Sequence, residues 1–226
     1  MDFSSTTFST HFKLVFFSLT IVSFPLSAAS RTGDLDFDKT FSIKDEAPQT
    51  HYKAIYEIDG NSHEVEIWRD GSQRLRRRTD DAIETFIFKP AKEVEWRMVV
   101  LDRKRRIRTD IDRTNLYRIG HFTDWFSQSH SLTRPVGPYH LQADPRFQTT
   151  EKPLSACRWF RLTRDTQESR ICWSAKLHLP LLVIDGNQRV KWRITTADNR
   201  PPETLVFVIH DEGFARSNAN ADIQAD

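Results

Sequence analysis

The feature that most restricts the fold of this chain is an alternation of apolar and polar residues that begins at Tyr52. Period-two alternation is typical of strands that bury one face. Tyr52, Ala54 and Tyr56 share a face before the turn at residues 59–61, and the alternation resumes at Val65. The Asp-Gly-Asn sequence of that turn favours a tight hairpin. Continued along the chain, the pattern predicts about nine or ten antiparallel strands in meander order.

The periodicity changes to that of a helix over residues 119–131. Four apolar side chains fall on one helical face there, namely Ile119, Phe122, Trp125 and Phe126. The chain-breaking residues Pro135, Gly137 and Pro138 predict that residues 132–155 form a long irregular connection or a lid. A further strand is expected at Leu205–His210. The predicted fold class is therefore mainly β (α+β), an antiparallel curved sheet or incomplete β-barrel wrapped around one or more helices.

The N-terminal end has the pattern of a secretory signal peptide. Lys13 precedes an uncharged, largely apolar run at residues 14–26, and small residues follow at 27–29. The run is shorter than the roughly 20 residues that a membrane-spanning helix needs, although a retained anchor is the alternative interpretation. We therefore expect an exported, periplasmic protein of a Gram-negative bacterium that is soluble after signal cleavage.

The expected domain organisation follows from that assignment. Residues 1–29 are the signal peptide, and residues 30–50 form a polar N-terminal segment. Residues 51–215 are long enough for a single β-rich domain with its own core. Residues 216–226 have few large apolar side chains, which predicts a flexible tail.

Cys157 and Cys172 are the only cysteines in the chain. An exported chain folds in an oxidising compartment, so this even count predicts one disulfide. A redox or metal-binding pair is the alternative, but the two residues lack the C-x-x-C spacing. Strands are predicted at Trp159–Leu162 and Arg170–Leu177, and the polar stretch at 163–169 between them predicts a hairpin. With Cys157 opposite Cys172, Trp159 would face Arg170 and position 161 would face position 168.

The net charge of +2 conceals an uneven distribution of charge. Residues 68–118 contain 15 Lys or Arg against nine Asp or Glu. The predicted basic surface consists of Arg76, Arg77, Arg78, Arg103, Lys104, Arg105 and Arg106. Such a surface favours contact with anionic lipid headgroups, an acidic envelope polymer or an acidic partner protein. Charged turns that only keep sheet edges soluble are the alternative. Nucleic acid is not expected as a partner of an exported protein.

Aromatic side chains fall on both faces of several predicted strands and on the predicted helix. A sheet with one wet face would leave some of them exposed, so a second apolar surface or a hydrophobic ligand must cover them. An ordinary core on a doubly covered sheet is the alternative. The candidate ligand-binding residues are Trp68, Phe86, Phe88, Trp96, Phe122, Trp125 and Phe126.

No sequence motif for catalysis, metal binding or a cofactor is present, so we assign no catalytic residue, metal or cofactor. A hydrolase acting on envelope material would have to rely on His121, His130, Asp110 and Asp112. Asp110 and Asp112 lie beside arginines, which favours simple charge pairs. A catalytic function therefore has no positive support from the sequence.

The order of these features resembles the LolA/LolB-type superfamily of bacterial envelope proteins. The resemblance covers roughly residues 50–215 and consists of W-R-D-G at Trp68–Gly71, V-V-L-D at Val99–Asp102, and D-R-T-N-L-Y-R-I-G-H-F at 112–122 before the aromatic helix. It implies an incomplete β-barrel around helices whose concave face receives lipid or lipoprotein acyl chains. Trp68, Trp96, Trp125 and Phe126 are the lining residues that carry over. A lipid-attachment cysteine is absent near the N-terminus, so the lipid-anchored branch does not fit.

Two functions follow as expectations. The first is a soluble periplasmic binding protein that holds a lipid or another hydrophobic ligand in a half-barrel cavity, with peripheral but not transmembrane contact with the membrane. The second is an envelope interaction module whose basic surface docks an acidic partner and whose interior is only a core.

Overall fold

A computed structural model describes residues 34–89, 96–112, 115–116, 124–201 and 203–218. These residues belong to one compact unit, which spans Gly33–Asp226. The predicted signal peptide, Phe122 and His121 lie outside the described residues.

Twelve strands within the described residues form a single sheet. Their bounds are β1 Gln49–Ile58, β2 Asn61–Asp70, β3 Arg74–Thr79, β4 Ile83–Phe88, β5 Arg97–Asp102, β6 Ile107–Ile111, β7 His140–Ala143, β8 Arg158–Arg164, β9 Gln167–Ser174, β10 Leu179–Asp185, β11 Val190–Asp198 and β12 Ala215–Asn218. The strands lie in the order β12-β6-β5-β4-β3-β2-β1-β11-β10-β9-β8-β7. Only β12 is parallel to its neighbour, β6. The prediction of a mainly β, open and curved antiparallel sheet is confirmed.

Turn chemistry sets the register of the hairpins. Ile58 pairs with Asn61 across a two-residue turn, in which Asp59 and Gly60 both have positive φ, 49° and 77°. This backbone matches the right-handed twist of the flanking strands, and Asp and Gly tolerate it best. Asp165 (φ 52°) starts the corresponding two-residue turn between β8 and β9.

The alternation of side chains divides β1–β6 into two surfaces with different chemistry. One surface, here named the core face, includes the buried residues Tyr52, Ala54, Val65, Ile67, Leu75, Ile87, Met98 and Ile111. The opposite surface, here named the arginine face, includes His51, Glu66, Trp68, Arg76, Arg78, Glu84, Phe86, Val99 and Arg108. Apolar residues in register across neighbouring strands account for the continuous core on the first surface.

Two short α-helices with fully described bounds pack against the sheet, α1 Phe37–Thr40 and α2 Trp125–His130. Asp124 caps α2 by accepting from the backbone N–H of Phe126 and Ser127, and Ser131 ends it in the left-handed region. The helix predicted at 119–131 is thus present in its described part. With four and six residues, these helices are too short to form a core around which the sheet wraps.

The segment before β1 contributes to the core. Phe37 and Phe41 are 3% and 1% exposed, and Phe41 packs edge-on against Trp173 with ring centroids 5.2 Å apart. The polar composition of residues 30–50 does not predict this burial, because the two large rings of Phe37 and Phe41 are enough to anchor a short helix in the core. The compact domain therefore includes described residues well before position 51.

Two predictions about connections are wrong. The expected lid at 132–155 contains β7, which pairs with β8 from His140 to Ala143. The strand expected at Leu205–His210 is instead a 3-10 helix, Thr204–Phe207, followed by an irregular stretch. Residues 203–214 run between β11 and β12 across the arginine face, and we name this segment the C-terminal strap.

The disulfide between Cys157 and Cys172 is confirmed, with Cα atoms 5.4 Å apart. The predicted hairpin register is wrong by two residues, because Trp159 faces Cys172 and Arg161 faces Arg170. Cys157 lies just outside β8, so the bridge joins the residue before one strand to an interior position of the next.

Loss of this disulfide should lower the melting temperature without unfolding the domain at room temperature. A bridge closing a loop of about 15 residues contributes roughly 3 kcal/mol in the chain-entropy model, which is roughly 6–12 °C for a domain of this size. The measurement is a thermal melt of the Cys157→Ser/Cys172→Ser variant beside the oxidised chain. An unchanged melting temperature would contradict a stabilising role for the bridge.

Candidate functional site

The predicted ligand-binding aromatics divide between the two faces of the sheet. Trp68, Phe86 and Phe88 lie on the arginine face. Trp96 and Trp125 pack with the core-face cluster, and Phe126 belongs to a second buried cluster around Phe37 and Trp173. The structure therefore does not bring the six described aromatics into one site. Strand alternation separates the arginine-face rings from Trp96, and the helical residues Trp125 and Phe126 join two different core clusters.

On the core face, Trp125 at the start of α2 contacts Trp96, which immediately precedes β5. Their rings meet edge-on with centroids 6.0 Å apart. Trp96 is 6% exposed, whereas Trp125 is only partly buried. Met98, Ile111 and Leu116 complete the apolar surface in the same cluster. This contact is entirely apolar in character.

The other end of α2 is held by a buried polar network. Arg69 Nη1 donates to Glu46 Oε1 (2.5 Å), and Glu46 Oε2 lies 2.7 Å from His130 Nε2. Arg69 Nη2 also donates to the Thr50 hydroxyl (2.7 Å). Arg69 is 2% exposed and His130 is 1% exposed. Burial alone would raise the pKa of Glu46, but the hydrogen bonds and charges of His130 and Arg69 lower it below its ordinary value.

Tyr52 reinforces this end of α2. Its hydroxyl donates to the Ser129 carbonyl oxygen (3.1 Å) and lies 3.1 Å from the Ser131 hydroxyl. Burial raises the pKa of Tyr52 to about 12, so the phenol remains protonated and keeps donating at physiological pH. The C-terminal end of α2 is thus fixed to β1 as well as to Glu46.

The residues proposed for a hydrolase do not form a catalytic group in the described part of the chain. His130 is paired with Glu46, and Asp110 accepts two hydrogen bonds from Arg108 (2.9 and 2.7 Å). The Ser129 hydroxyl lies 2.8 Å from His130 Nδ1, but Ser129 is fully buried and its hydroxyl donates to the Trp125 carbonyl oxygen (2.7 Å). A substrate therefore has no access to this serine.

The arginine face is organised by two buried carboxylates, Glu84 and Glu66. Glu84 accepts from Arg76 Nη2 (2.8 Å) and Arg103 Nη2 (2.7 Å). Glu66 pairs with Arg78 Nη2 (2.5 Å) and lies 2.8 Å from His51 Nε2. In both glutamates burial would raise the pKa, but the neighbouring cationic and hydrogen-bonding groups lower it overall.

The residues of the predicted basic surface have different partners. Arg76 and Arg103 share Glu84, and Arg78 is paired with Glu66. Arg77 lies on the core-face side, with its guanidinium 5.5 Å from the Tyr56 ring centre. The exposed residues Lys104, Arg105 and Arg106 lie in the turn between β5 and β6. Consecutive strand residues point to opposite faces, which is why the run at 76–78 is not one patch.

The aromatic rings of the arginine face stack against its histidine and arginine side chains. Trp68 is stacked on His51 at 5.1 Å, and the Arg76 guanidinium lies 4.8 Å from the Trp68 ring centre. Arg76 also lies 5.5 Å from the Phe86 ring. Contacts of this kind stabilise a cation at a partly desolvated site. Strand alternation predicts that Trp68 lies on the same face as Glu66. It does not reveal that the Arg76 guanidinium lies close to both the Trp68 and the Phe86 rings.

Open grooves on the described surface include three with volumes of about 330, 260 and 340 Å³. The first lies on the arginine-face side of β1 and β2 and is lined by both carboxylates and cations, including Glu64, Glu66, Lys53 and Arg78. None of these three grooves is lined by the six described aromatic candidates.

No cluster of three or more His, Cys, Asp or Glu side chains in the described part of the chain is arranged to hold a metal ion. No helix in the same residues has the length and apolar character that crossing a bilayer requires.

Comparison with known proteins gave likenesses to solved structures. No family model and no curated protein matches the chain. A crystal structure of MucB is similar at 16% identity and a TM-score of 0.41, over 79% of this chain and 63% of that one. A structure of PNGF-II is similar at 8% identity and a TM-score of 0.36, over 78% of this chain and 32% of that one. Both scores are below 0.5, and the chain spans less than two thirds of either protein.

Proposed function

We propose that this chain is an exported, periplasmic binding protein that holds a hydrophobic ligand, a lipid or a lipoprotein acyl chain, on the core face beneath α2. The observation that carries the proposal is the unequal fastening of α2. Its His130 end is tied to the sheet by the buried Arg69–Glu46–His130 network and by Tyr52. Its Trp125 end rests on Trp96 through an apolar ring contact.

The polar contacts at the Trp125 end of α2 are weak. Arg134 pairs with Asp124 and with Asp38 (2.7 Å), but Arg134 and Asp38 side chains are 39% and 66% exposed. Exposed ion pairs of this kind contribute little stability in water. Tilting α2 about its His130 end would separate Trp125 from Trp96, and its main cost would be part of the packing of Phe126 against Phe37.

An acyl chain could replace the contacts that this movement opens. Separation of the two indoles would expose Trp96, Met98, Ile111 and Leu116, which are all apolar and buried in the resting chain. Each methylene of a ligand buried there gains about 0.8 kcal/mol. The free energy of ligand burial would thus offset the separation of the two rings. The disulfide supports assignment of the chain to an oxidising compartment such as the periplasm, where such a carrier would work.

The test measures binding of a pyrene-labelled long-chain fatty acid to the chain and to a Trp125→Leu variant. We expect binding to the unaltered chain and a severalfold weaker affinity for the variant, since the bound acyl chain would lie against the Trp125 ring and an aromatic contact contributes about 0.5–1.5 kcal/mol. Lipid extraction from protein purified from the envelope provides a second readout, with copurifying lipid as the expected result.

Trp68→Leu is the matched control, because Trp68 lies on the arginine face and should leave fatty-acid binding unchanged. Cooperative thermal unfolding of each variant verifies that the fold is retained. Failure of the unaltered chain to bind the probe, together with no copurifying lipid, would refute the proposal. Equal losses in the Trp68 and Trp125 variants would also contradict binding beneath α2.

A further inference from the structure

The C-terminal strap lies on a row of arginines that hold it mainly through its backbone. Arg76 Nη1 donates to the Val206 carbonyl oxygen (3.0 Å), Arg103 Nη1 to that of His210 (3.1 Å), and Arg106 Nη2 to that of Glu212 (3.0 Å). Backbone carbonyls are present in any peptide. These three contacts therefore fix the path of a chain across the sheet without requiring a particular sequence.

Three side chains of the strap add chemical selectivity. Phe207 packs against the Arg74 guanidinium at 4.6 Å, and Phe214 lies 5.7 and 5.8 Å from those of Arg103 and Arg106. Between the two rings, Asp211 accepts from Arg108 Nη1 (2.8 Å). This hydrogen bond lowers the pKa of Asp211 below its ordinary value. The surface thus receives an aromatic residue, then a carboxylate four residues later, then a second aromatic residue three further on.

The strap is only partly buried, although the sheet beneath it is apolar. Leu205 and Val208 are 69% and 41% exposed, whereas Phe86, Val99 and Leu101 under the strap are 0%, 3% and 0% exposed. The strap also leaves a donor unused, because Arg76 Nε is buried and has no hydrogen-bond partner among the described residues. A carboxylate can engage Nε and Nη of an arginine together, which a single carbonyl oxygen cannot.

We propose that the arginine face is a docking surface for an acidic, aromatic peptide segment of a partner protein, and that the strap occupies this surface as an intramolecular substitute. Charge complementarity supports this partner, since the arginines that face the strap outnumber the carboxylates of the sheet that pair with them. The arginines are Arg74, Arg76, Arg103, Arg106 and Arg108, and the carboxylates are Asp70, Glu84 and Asp110. The strap is joined to β11 at one end and to β12 at the other, so it can lift while both strands remain paired. The proposal does not depend on lipid binding at the core face.

An intramolecular occupant sets the affinity that a partner must exceed. A tethered segment acts at an effective concentration of about millimolar. The apparent affinity for an outside peptide is reduced by the fraction of molecules in which the surface is covered. Weakening the strap should therefore expose the surface and strengthen binding of an outside peptide of the same chemistry.

The experiment uses a fluorescent synthetic peptide with the sequence of residues 203–214 and measures its anisotropy with the full-length chain. The strap-weakened protein is the full-length Phe207→Ala/Phe214→Ala variant, in which the arginines are unchanged. We expect this variant to bind the peptide at least about tenfold more tightly than the unaltered chain does. A peptide with both phenylalanines and the aspartate replaced by alanine should not bind.

Variants of the arginine face test where the peptide binds. Arg103→Gln in the strap-weakened chain removes donors to the peptide and should abolish the gain in affinity. Arg105→Gln is the matched control, because Arg105 is 78% exposed and its charge pairs with Asp102 at 3.8 Å, away from the strap. Circular dichroism and cooperative melting verify that each variant is folded.

Three outcomes would overturn the proposal. The first is no peptide binding to a folded strap-weakened chain, and the second is equal binding of the alanine-substituted peptide. The third is a concentration-dependent dimer of the unaltered chain that the Phe207→Ala/Phe214→Ala substitutions abolish. That result would assign the surface to the strap of a second copy of this chain instead of a partner protein.

Discussion

Replacement of Glu46 by alanine is expected to lower the free energy of unfolding by about 3–5 kcal/mol. Glu46 is the only carboxylate that the described contacts place on both Arg69 and His130. Without it Arg69, a residue that is 2% exposed, would remain buried with only the Ala47 carbonyl oxygen and the Thr50 hydroxyl among its described acceptors. An uncompensated buried charge of this kind is strongly destabilising. The loss would be a large part of the total stability of an ordinary domain.

Urea unfolding of the Glu46→Ala chain at neutral pH measures this effect. Glu46→Gln keeps an acceptor for Arg69 but removes the charge, so it should be less destabilising than alanine. Glu151→Ala is the control, because Glu151 and its partner Arg193 are both about one third exposed, and exposed pairs contribute about 0–1 kcal/mol. Equal effects of the Glu46 and Glu151 substitutions would mean that the buried network does not fasten α2.

The sheet is the part of the structure that sequence could predict, because alternation and turn chemistry are both local signals. Tyr52 and Ala54 alternate with polar residues, and Asp59-Gly60 supplies the positive φ angles of the first turn. Such signals do not predict the structure of a segment that pairs with no other strand. The strap has an apolar run that suggests a strand at 205–210, but the neighbouring side chains of the sheet bind its carbonyl groups instead of another strand.

The candidate sites were less accessible to prediction, because they depend on residues that are distant in sequence. Glu46 and His130 are separated by 84 positions, and Arg76 and Val206 by 130. No local pattern reports such contacts. The division of the arginines, in contrast, was available from strand parity, since Arg76 and Arg78 must share a face and Arg77 must lie on the other. Treating a charge run as one patch ignores this parity.

Glu84 connects the sheet to the strap, and its replacement by alanine should destabilise both. Its side chain is 6% exposed and accepts from Arg76 and Arg103, the two arginines that also hold Val206 and His210. We expect the free energy of unfolding to fall by about 3 kcal/mol, the lower end for a broken buried pair, because Arg103 is 30% exposed and can regain water. Limited proteolysis should cut within 203–214 faster than in the unaltered chain. Glu64→Ala, at an exposed position of β2, is the control and should change neither measurement.

The pH dependence of the Glu84 contribution provides an independent check of its ionic origin. Burial raises the pKa of Glu84, but the hydrogen bonds and charges of Arg103 and Arg76 lower it overall below the ordinary value of 4.5. A carboxyl whose pKa is lower in the folded than in the unfolded chain stabilises the fold fully above the unfolded value, and this stabilisation is lost as the pH falls through the folded value. Glu84→Gln cannot lose a charge in acid, so its stability deficit relative to the unaltered chain should be largest at pH 7 and should shrink below about pH 4.5. Urea unfolding at several pH values measures this difference. A deficit of equal size at every pH would indicate that Glu84 acts through packing, and that the two arginines hold the strap without its charge.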